Sequence, residues 1–455
     1  MNWPPVALLV LAVSSFGLSL TIWGSIGVIR WLGELVELRR GGRVTPVAHR
    51  VHVEDVAVLI PAHNEEPVIE ETLAAITRLV PRQNVHVISD GSTDRTAELA
   101  RAAGVNVLEI PVAGGKARGL KTGIEHFALR HRFKAVLLLD ADTRLDDRYF
   151  DLALPMFDDP EVSSVAGCAA TAWNPHRLGW RGGMARVLNA HRDRTYWLFQ
   201  RLVKYGQCWR YANVAAIVPG FASLYRTTIL DQIDIDAPGM VIEDFNMTFE
   251  VHHRRLGRVA FNPDAVAYTQ DPHRFRDYNK QVRRWALGFW QTLRQHGLWV
   301  GKFWASMTIT VFELITSSLS LLLATFAVAV LALGDLFGQT LDQVGAFAAV
   351  DRFISANFSY EVLLLGIVIP DFALTAIVAL IRRRPLYLLA GLFFVPLRIV
   401  DGIAILVSLP RAWFVKSTGR WVSPQRQATS NVTQLRPPDA GRPLAGAALA
   451  EVREA

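Results

Sequence analysis

The chain has 455 residues, 51% of them hydrophobic, with 48 Lys and Arg against 41 Asp and Glu and a net charge of +7. Its two cysteines, Cys168 and Cys208, have no metal-ligand spacing and exclude a disulfide framework. The basic residues flank apolar segments and form no nucleic-acid motif, so the charge points to a membrane surface, and nucleic acid is not an expected partner.

Residues 6–29 are apolar with Ser, Thr and Gly interruptions and are long enough to span a bilayer. No basic residue precedes the run and no small-residue cleavage site stands out, which favours a span over a cleaved signal. Arg30, Arg39, Arg40 and Arg43 follow it and predict that the next segment is cytoplasmic. Residues 56–60 then read as a first strand, 70–79 as a helix and 85–88 as a second strand. A helix over 94–103 closed by Gly104, a third strand over 105–110, a helix over 119–130 and a fourth strand over 135–139 continue the pattern. Strands alternating with helices predict an α/β fold with a mostly parallel, doubly wound sheet.

Residues 281–298 read as an amphipathic helix rich in Arg and Trp. Residues 303–333 and 361–381 are apolar, the second ending in Arg382-Arg383-Arg384, a cytoplasmic marker. Residues 386–409 are apolar too, but Pro396, Arg398 and Asp401 interrupt them. Ionisable groups at membrane depth are costly unless they face protein. Three full crossings would also put Arg411, Lys416, Arg420 and Arg426 outside, against the charge rule, so an incomplete last crossing and a cytoplasmic tail are expected. The expected organisation is a transmembrane helix over 1–30, a cytoplasmic linker over 31–52 and a catalytic domain over 53–276. An interfacial helix over 277–302, a transmembrane region over 303–409 and a basic, Pro-rich, disordered tail over 410–455 complete it.

Chemistry concentrates at the strand ends. Asp140-Ala141-Asp142 ends the fourth strand, where open α/β sheets bind ligands. Two carboxylates on one face of the chain are costly without a cation or hydrogen bonds, and a hard divalent cation touching phosphate is the usual solution. Pro61-Ala62-His63-Asn64-Glu65-Glu66 and Ser89-Asp90-Gly91-Ser92-Thr93-Asp94 sit at the first two strand ends. Asp90 could receive a base or ribose, whereas Ser92 to Asp94 also suit a helix cap and Glu65 and Glu66 a solvated first turn. Gly114-Gly115-Lys116 suits either a phosphate approach or an ordinary turn, without P-loop spacing. Glu243-Asp244 suits either a helix cap or a general base. Gln281, Arg284 and Trp285 share one helix face, with Arg284 suited to a diphosphate and Trp285 to stacking on a sugar. Trp290, Trp299 and Trp304 suit a helix at headgroup level, and His252, His253 and His273 read as structural.

Taken in order, these motifs resemble family 2 glycosyltransferases of the GT-A fold, most closely the membrane-embedded cellulose, chitin, hyaluronan and poly-N-acetylglucosamine synthases. The resemblance implies that Pro61, Ala62, Asn64, Glu65 and Asp90 bind the nucleotide, with Lys116 nearby. It implies that Asp140, Ala141 and Asp142 are the family's DxD, Asp142 holding Mg²⁺ or Mn²⁺ and Asp140 facing the nucleotide. Gly220 and Phe221, within Pro219-Gly220-Phe221-Ala222-Ser223, resemble the stretch lining the acceptor pocket. Glu243 and Asp244 match the ED motif, Asp244 as base, and Gln281, Arg284 and Trp285 match QxxRW, typical of processive members. Trp421 resembles an element near the gate. His63, Ser89, Arg118 and Lys121 depart from common family choices, which bears on the donor sugar.

The implied activity is inverting, metal-dependent transfer from a UDP-sugar to a growing β-linked polysaccharide at the plasma (inner) membrane, with a multi-pass chain and coupled export. The implied partners are the nucleotide-sugar donor, a glycan or lipid acceptor and the bilayer, with room for an accessory export subunit. The alternatives are single-sugar transfer to a polyprenyl phosphate or glycolipid, and a membrane transporter or scaffold with a degenerate nucleotide domain. The last predicts loss of some of Asp140, Asp142 and Asp244, all of which are present.

Overall fold

The computed structural model describes residues 17–39, 50–171, 183–341 and 343–415. The start of the expected first span, Arg40, Arg43, Lys416, Arg420, Trp421, Arg426 and the expected tail from 416 onward lie outside the described residues, while 410–414, expected to begin that tail, continue the last helix.

The strands are β1 (Val56–Ala62), β2 (Val85–Asp90), β3 (Asn106–Ile110), β4 (Ala135–Leu139), β5 (Arg144–Leu145), β6 (Val162–Thr171), β7 (Ala222–Arg226) and β8 (Arg258–Thr269). They form one sheet in the order β3-β2-β1-β4-β7-β6-β8-β5. The sheet is mostly parallel: β1–β2, β1–β4, β2–β3 and β6–β8 run together, while β4–β7, β6–β7 and β5–β8 oppose. The apolar runs of β1 and β4 are buried on both faces, as a helix-covered parallel sheet requires. Alternate residues serve opposite layers. Val58, Ile60, Leu137 and Leu139 pack with Ile69, Leu73 and Tyr149, whereas Leu59, Val136 and Leu138 pack with Leu120, Ile124 and Met247.

The helices of this part of the chain are α1 (Leu18–Arg39), α2 (Ile69–Ile76), α3 (Thr96–Ala102), α4 (Lys116–His126), α5 (Gly183–Leu198), α6 (Glu243–His253) and α7 (Phe275–His296); α2 and α4 pack on the two layers of the sheet, α1 packs on the helical stretch 199–207, and α7 packs on α5 and α6. Helix α4 starts three residues earlier than the pattern predicts, because Gly115 turns the chain at φ 95° directly before Lys116. Helix α7 starts at Phe275, ahead of the expected 281, and ends at Gly297 with φ 63°.

Two helical stretches, Lys302–Gly338 and Tyr360–Ile381, are long and apolar enough to cross a membrane among the described residues. Only 28% and 39% of their most apolar windows is buried inside the protein, so their apolar surface is mostly turned outward. The first belongs to α8 (Lys302–Leu341), which is followed by α9 (Gly345–Asn357). The second passes through a π-helical turn, Leu364–Val368, into α10 (Ile369–Ile381). The interrupted segment forms α11 (Leu386–Gly391) and α12 (Phe394–Phe414), broken at Leu392 and Phe393. Its ionisable residues face protein. Arg398 donates to Asp371 of α10 (2.9 Å), and Asp401 accepts from Tyr278 of α7 (2.7 Å).

The tryptophans expected at headgroup level are instead packing residues. Trp290 is buried and donates to the Ile405 carbonyl at 2.9 Å, Trp304 is buried, and Trp299 stacks on His253. The reason is that α7 lies between α6 and α12, so its aromatic side closes a joint inside the protein. His252 belongs to the same joint, stacked on Phe303 and bonded to the Ala215 carbonyl.

Asp371 is 1% exposed and neutralises both Arg194 of α5 and Arg398 of α12. Removing one partner of a buried pair strands the other charge. Asp371→Ala is therefore expected to cost about 3–5 kcal/mol, read as a lower thermal midpoint of the detergent-purified protein. An unchanged midpoint would contradict this account of the joint.

Candidate active site

Four chain segments meet at the carboxyl end of β4. Antiparallel pairing sets Leu139 opposite Ala222, so the loop before β7 is brought beside the exit of β4. The Asp140 N–H donates to the Phe221 carbonyl at 3.1 Å, which fixes this apposition. From the other side α4 presents its first residue. The Lys116 ammonium lies 2.8 Å from Asp140, 2.8 Å from Glu243 and 3.1 Å from the Gly220 carbonyl. A Cβ on Gly220 would stand 2.8 Å from the Glu243 carboxylate and 3.0 Å from Lys116, so the close approach needs glycine.

Asp244 is next to this bridge. Its carboxylate accepts from the Gly220 N–H (3.2 Å) and the Phe245 N–H (2.7 Å) at the first turn of α6. Burial, reinforced by the neighbouring Glu243 charge, pushes its pKa up to about 6, against the pull of Lys116 and those two amides. Burial works against the Lys116 charge as well, yet Asp140 and Glu243 outweigh it and hold the ammonium well above the ordinary lysine range.

The nucleotide-side residues are arranged differently from the simplest expectation. Gly114 and Gly115 direct their N–H groups at the two oxygens of Asp90, at 2.8 and 2.7 Å. The glycine pair thus orients a carboxylate, and its lysine addresses Asp140 and Glu243. Asn64, at φ 55°, accepts from the Thr93 N–H and donates its own N–H to Ser92, tying the β1 and β2 loops together. Asp94 caps the start of α3 through Thr96 and also receives the Glu66 N–H. Of the two residues that suit a solvated turn, Glu65 is instead buried with its N–H on Thr96, whereas Glu66 stays at the surface and pairs with Arg95. Pro61 and Ala62 end β1, and the Ala141 carbonyl accepts from Thr72, which anchors the acidic loop to α2.

On α7, Gln281 and Trp285 share a face with Tyr278. Trp285 is not an open platform on both sides, because the Arg192 guanidinium lies 4.4 Å from its ring centre. Gln281 accepts from Arg192 at 2.8 Å. Arg284 follows on the same helix. Sequence reading missed Arg192, Tyr196 and Asp271. Their local sequence does not mark them: His191-Arg192-Asp193-Arg194 reads as an ordinary polar run, and only the fold shows that all four are buried in α5.

Asp271 bears on metal binding. It is buried, its Oδ2 has no partner among the described residues, and Tyr196 donates to its Oδ1 at 3.3 Å. Burial, aided by Asp193 and Asp142, raises its pKa to about 7 despite Arg192 and Tyr196. An unsatisfied hard oxygen within the field of Asp142 is the donor chemistry Mg²⁺ or Mn²⁺ prefers. No cluster of three or more Asp, Glu, His or Cys converges as a ligand set among the described residues. The residues therefore fit an ion completed by water and diphosphate oxygens rather than an all-protein cage.

The sheet, the acidic strand exit and the half-buried Asp244 define a nucleotide-sugar transferase type of domain. A family profile described as "Glycosyltransferase like family 2" matches residues 54–288, more than half of the chain, and the chain belongs to glycosyltransferase family 2. Poly-beta-1,6-N-acetyl-D-glucosamine synthase of Staphylococcus epidermidis is 26% identical over 282 residues, 58% of this chain and 62% of that protein. Probable glycosyltransferase YdaM of Bacillus subtilis is 27% identical over 246 residues, 51% of this chain and 54% of that protein. The chain's match thus spans less than two thirds of the length of these relatives. Mannosyltransferase PcManGT from Pyrobaculum calidifontis, solved with GDP-Man and Mn²⁺, is 18% identical with a TM-score of 0.49, covering 87% of this chain and all of that one.

The Lys116 bridge has a pH signature. Without Lys116, Asp140 and Glu243 stand unneutralised beside Asp244, and the pull that lowers the Asp244 pKa is gone, so its folded-state value rises further above the unfolded one. A carboxyl raised in this way loses stability as pH climbs through its folded value. Lys116→Met is expected to be about 1–3 kcal/mol less stable at pH 8 and close to the parent near pH 4. Thermal melts across that range check this, and a deficit that does not change with pH would contradict it.

Proposed function

We propose that the chain transfers a sugar, with inversion, from a UDP-sugar to a growing β-linked polysaccharide at a membrane. The observation carrying this reading is Asp244: a carboxylate oriented by two backbone amides, with a pKa near 6, beside the bridge to Asp140. A general base works best when its pKa approaches the working pH. The names of the relatives support an N-acetylglucosamine polymer as the product.

In this reading the acceptor hydroxyl attacks the anomeric carbon as Asp244 takes its proton. The new carbon–oxygen bond forms while the bond to the diphosphate breaks, and the electron pair leaves with the diphosphate. One in-line displacement inverts the centre. Asp142 would hold a Mg²⁺ or Mn²⁺ ion, which when bound neutralises diphosphate charge, with Asp140 on the nucleotide side. Arg284 meets the same charge, and Asp90, held by Gly114 and Gly115, receives the nucleoside. Lys116, paired with Asp140 and Glu243, lowers the Asp244 pKa and keeps the base available. Trp285 and Gln281 form the acceptor side. The outward apolar faces of α8 and of Tyr360–Ile381 support residence in a lipid bilayer, with the catalytic domain cytoplasmic and the polymer passed outward.

Asp244→Asn is expected to reduce UDP release from UDP-sugar by about 10³-fold with donor affinity little changed. Unaffected turnover would remove Asp244 from the role of base. Only the deprotonated carboxylate accepts a proton, so parent activity should rise with pH through about 6, and a pH-independent rate from pH 5 to 8 would contradict the assignment. Product sizing with UDP-N-acetylglucosamine and Mn²⁺ tests polymer formation, and a single-sugar product alone would rule it out.

A further inference from the structure

The run His191-Arg192-Asp193-Arg194 sends four buried polar side chains in different directions from α5. Three of them meet a charge of opposite sign or a ring nitrogen's natural partner. Arg194 pairs with Asp371 (3.0 Å), Asp193 with Arg384 (2.9 Å), and His191 reaches Asp401 (3.4 Å). These contacts tie α5 to the apolar helices and account for their own burial.

Arg192 is different. It is 6% exposed, yet it has no ion-pair partner and its Nε has no hydrogen-bond partner among the described residues. Its guanidinium lies 4.6 Å from the Tyr278 ring centre and 4.4 Å from that of Trp285, and Nη2 donates to Gln281 Oε1 at 2.8 Å. The fields of Asp271 and Asp401 reach this buried guanidinium without a direct ion pair, whereas Arg194 is paired in contact with Asp371. All three partners lie on one face of α7, at positions 278, 281 and 285. Tyr278 is itself held by its hydroxyl on Asp401, so one side of the stack is rigid. The charge of Arg192 also acts on Asp271, which lies within the field of Asp142.

We propose that Arg192 is a positioning residue for acceptor recognition. Clamped between Tyr278 and Trp285 and bonded to Gln281, it sets the Trp285 ring and the Gln281 amide against an acceptor sugar. A planar cation is needed, because it can stack on two aromatic faces while donating in its own plane. Lysine keeps the charge but offers neither the flat face nor the fork. This inference rests on the sugar-transfer reading above.

The full chain in detergent, with UDP-N-acetylglucosamine, Mn²⁺ and a β-1,6-linked N-acetylglucosamine oligosaccharide, tests it. Arg192→Lys and Arg192→Met should each raise the KM for the oligosaccharide roughly tenfold or more while the KM for UDP-N-acetylglucosamine stays within about twofold. If Arg192 acts through Trp285, adding Arg192→Met to Trp285→Ala should cause little further loss. An unchanged oligosaccharide KM, fully additive losses, or equal rises in both KM values accompanied by a lower melting temperature would overturn the proposal. Calorimetric binding of the oligosaccharide separates the two readings. A parent protein that turns over no nucleotide sugar defeats the transfer reading, whereas equal oligosaccharide affinity in the parent and Arg192→Lys defeats the role of Arg192.

Discussion

The Lys116 ammonium is the contact on which the candidate site depends. It is contributed by the first residue of α4, and its neighbours come from the exit of β4, the loop before β7 and the start of α6. No single element contains the site. A parallel sheet places loops at its carboxyl edge, but loops alone do not converge. Convergence here needs a cation short of room, and Gly220 provides that room by having no side chain. The same bridge tunes the electrostatics. Burial raises the pKa of Asp244 most, Glu243 adds to the rise, and Lys116 and two backbone amides oppose it, which leaves the value near 6.

A second constraint is the joint between the α/β domain and the apolar helices. Helix α7 is simultaneously the bearer of Gln281 and Trp285 and the surface on which α12 rests. Helix α5 is bound to the same joint by Asp371, Arg384 and Asp401. Buried ion pairs of this kind add little net stability, because desolvation offsets attraction, but their geometry is exacting. Their effect is to register one body against the other. The face of α7 that bears Gln281 and Trp285 is therefore positioned by groups that reach into the apolar helices.

Much of this was legible in the sequence, and the reasons are physical. The runs of β1 and β4 are apolar because both faces are covered, so their strand character and parallel pairing could be read directly. The acidic exit and Glu243-Asp244 stand out because carboxylates are rare next to such runs. What could not be read is which partner each group takes. Gly114-Gly115 reads as a phosphate turn, yet its amides face Asp90, a choice fixed by the register of β2 against β3. Trp290, Trp299 and Trp304 read as a headgroup belt, because amphipathic helices look alike whether they lie on lipid or on protein. Arg192 gave no local signal of function, since its partners on α7 come from more than eighty residues downstream.

Arg192 and Arg194 illustrate how burial and pairing together separate structural from functional charge. Both are buried, and both sit on one turn of α5. Arg194 faces a carboxylate that is itself 1% exposed, so the two charges cancel inside the joint. Arg192 faces two aromatic rings and an amide, which stabilise a cation without neutralising it. Its field and those of the buried Asp271 and Asp401 act on one another without a direct ion pair, so the cation is held in place by planar contacts and balanced only at a distance. Lys116 is the opposite case, a cation held by two carboxylates at contact distance, so one fold fixes its two central cations by different means: close pairing at the strand exit and stacking on α7.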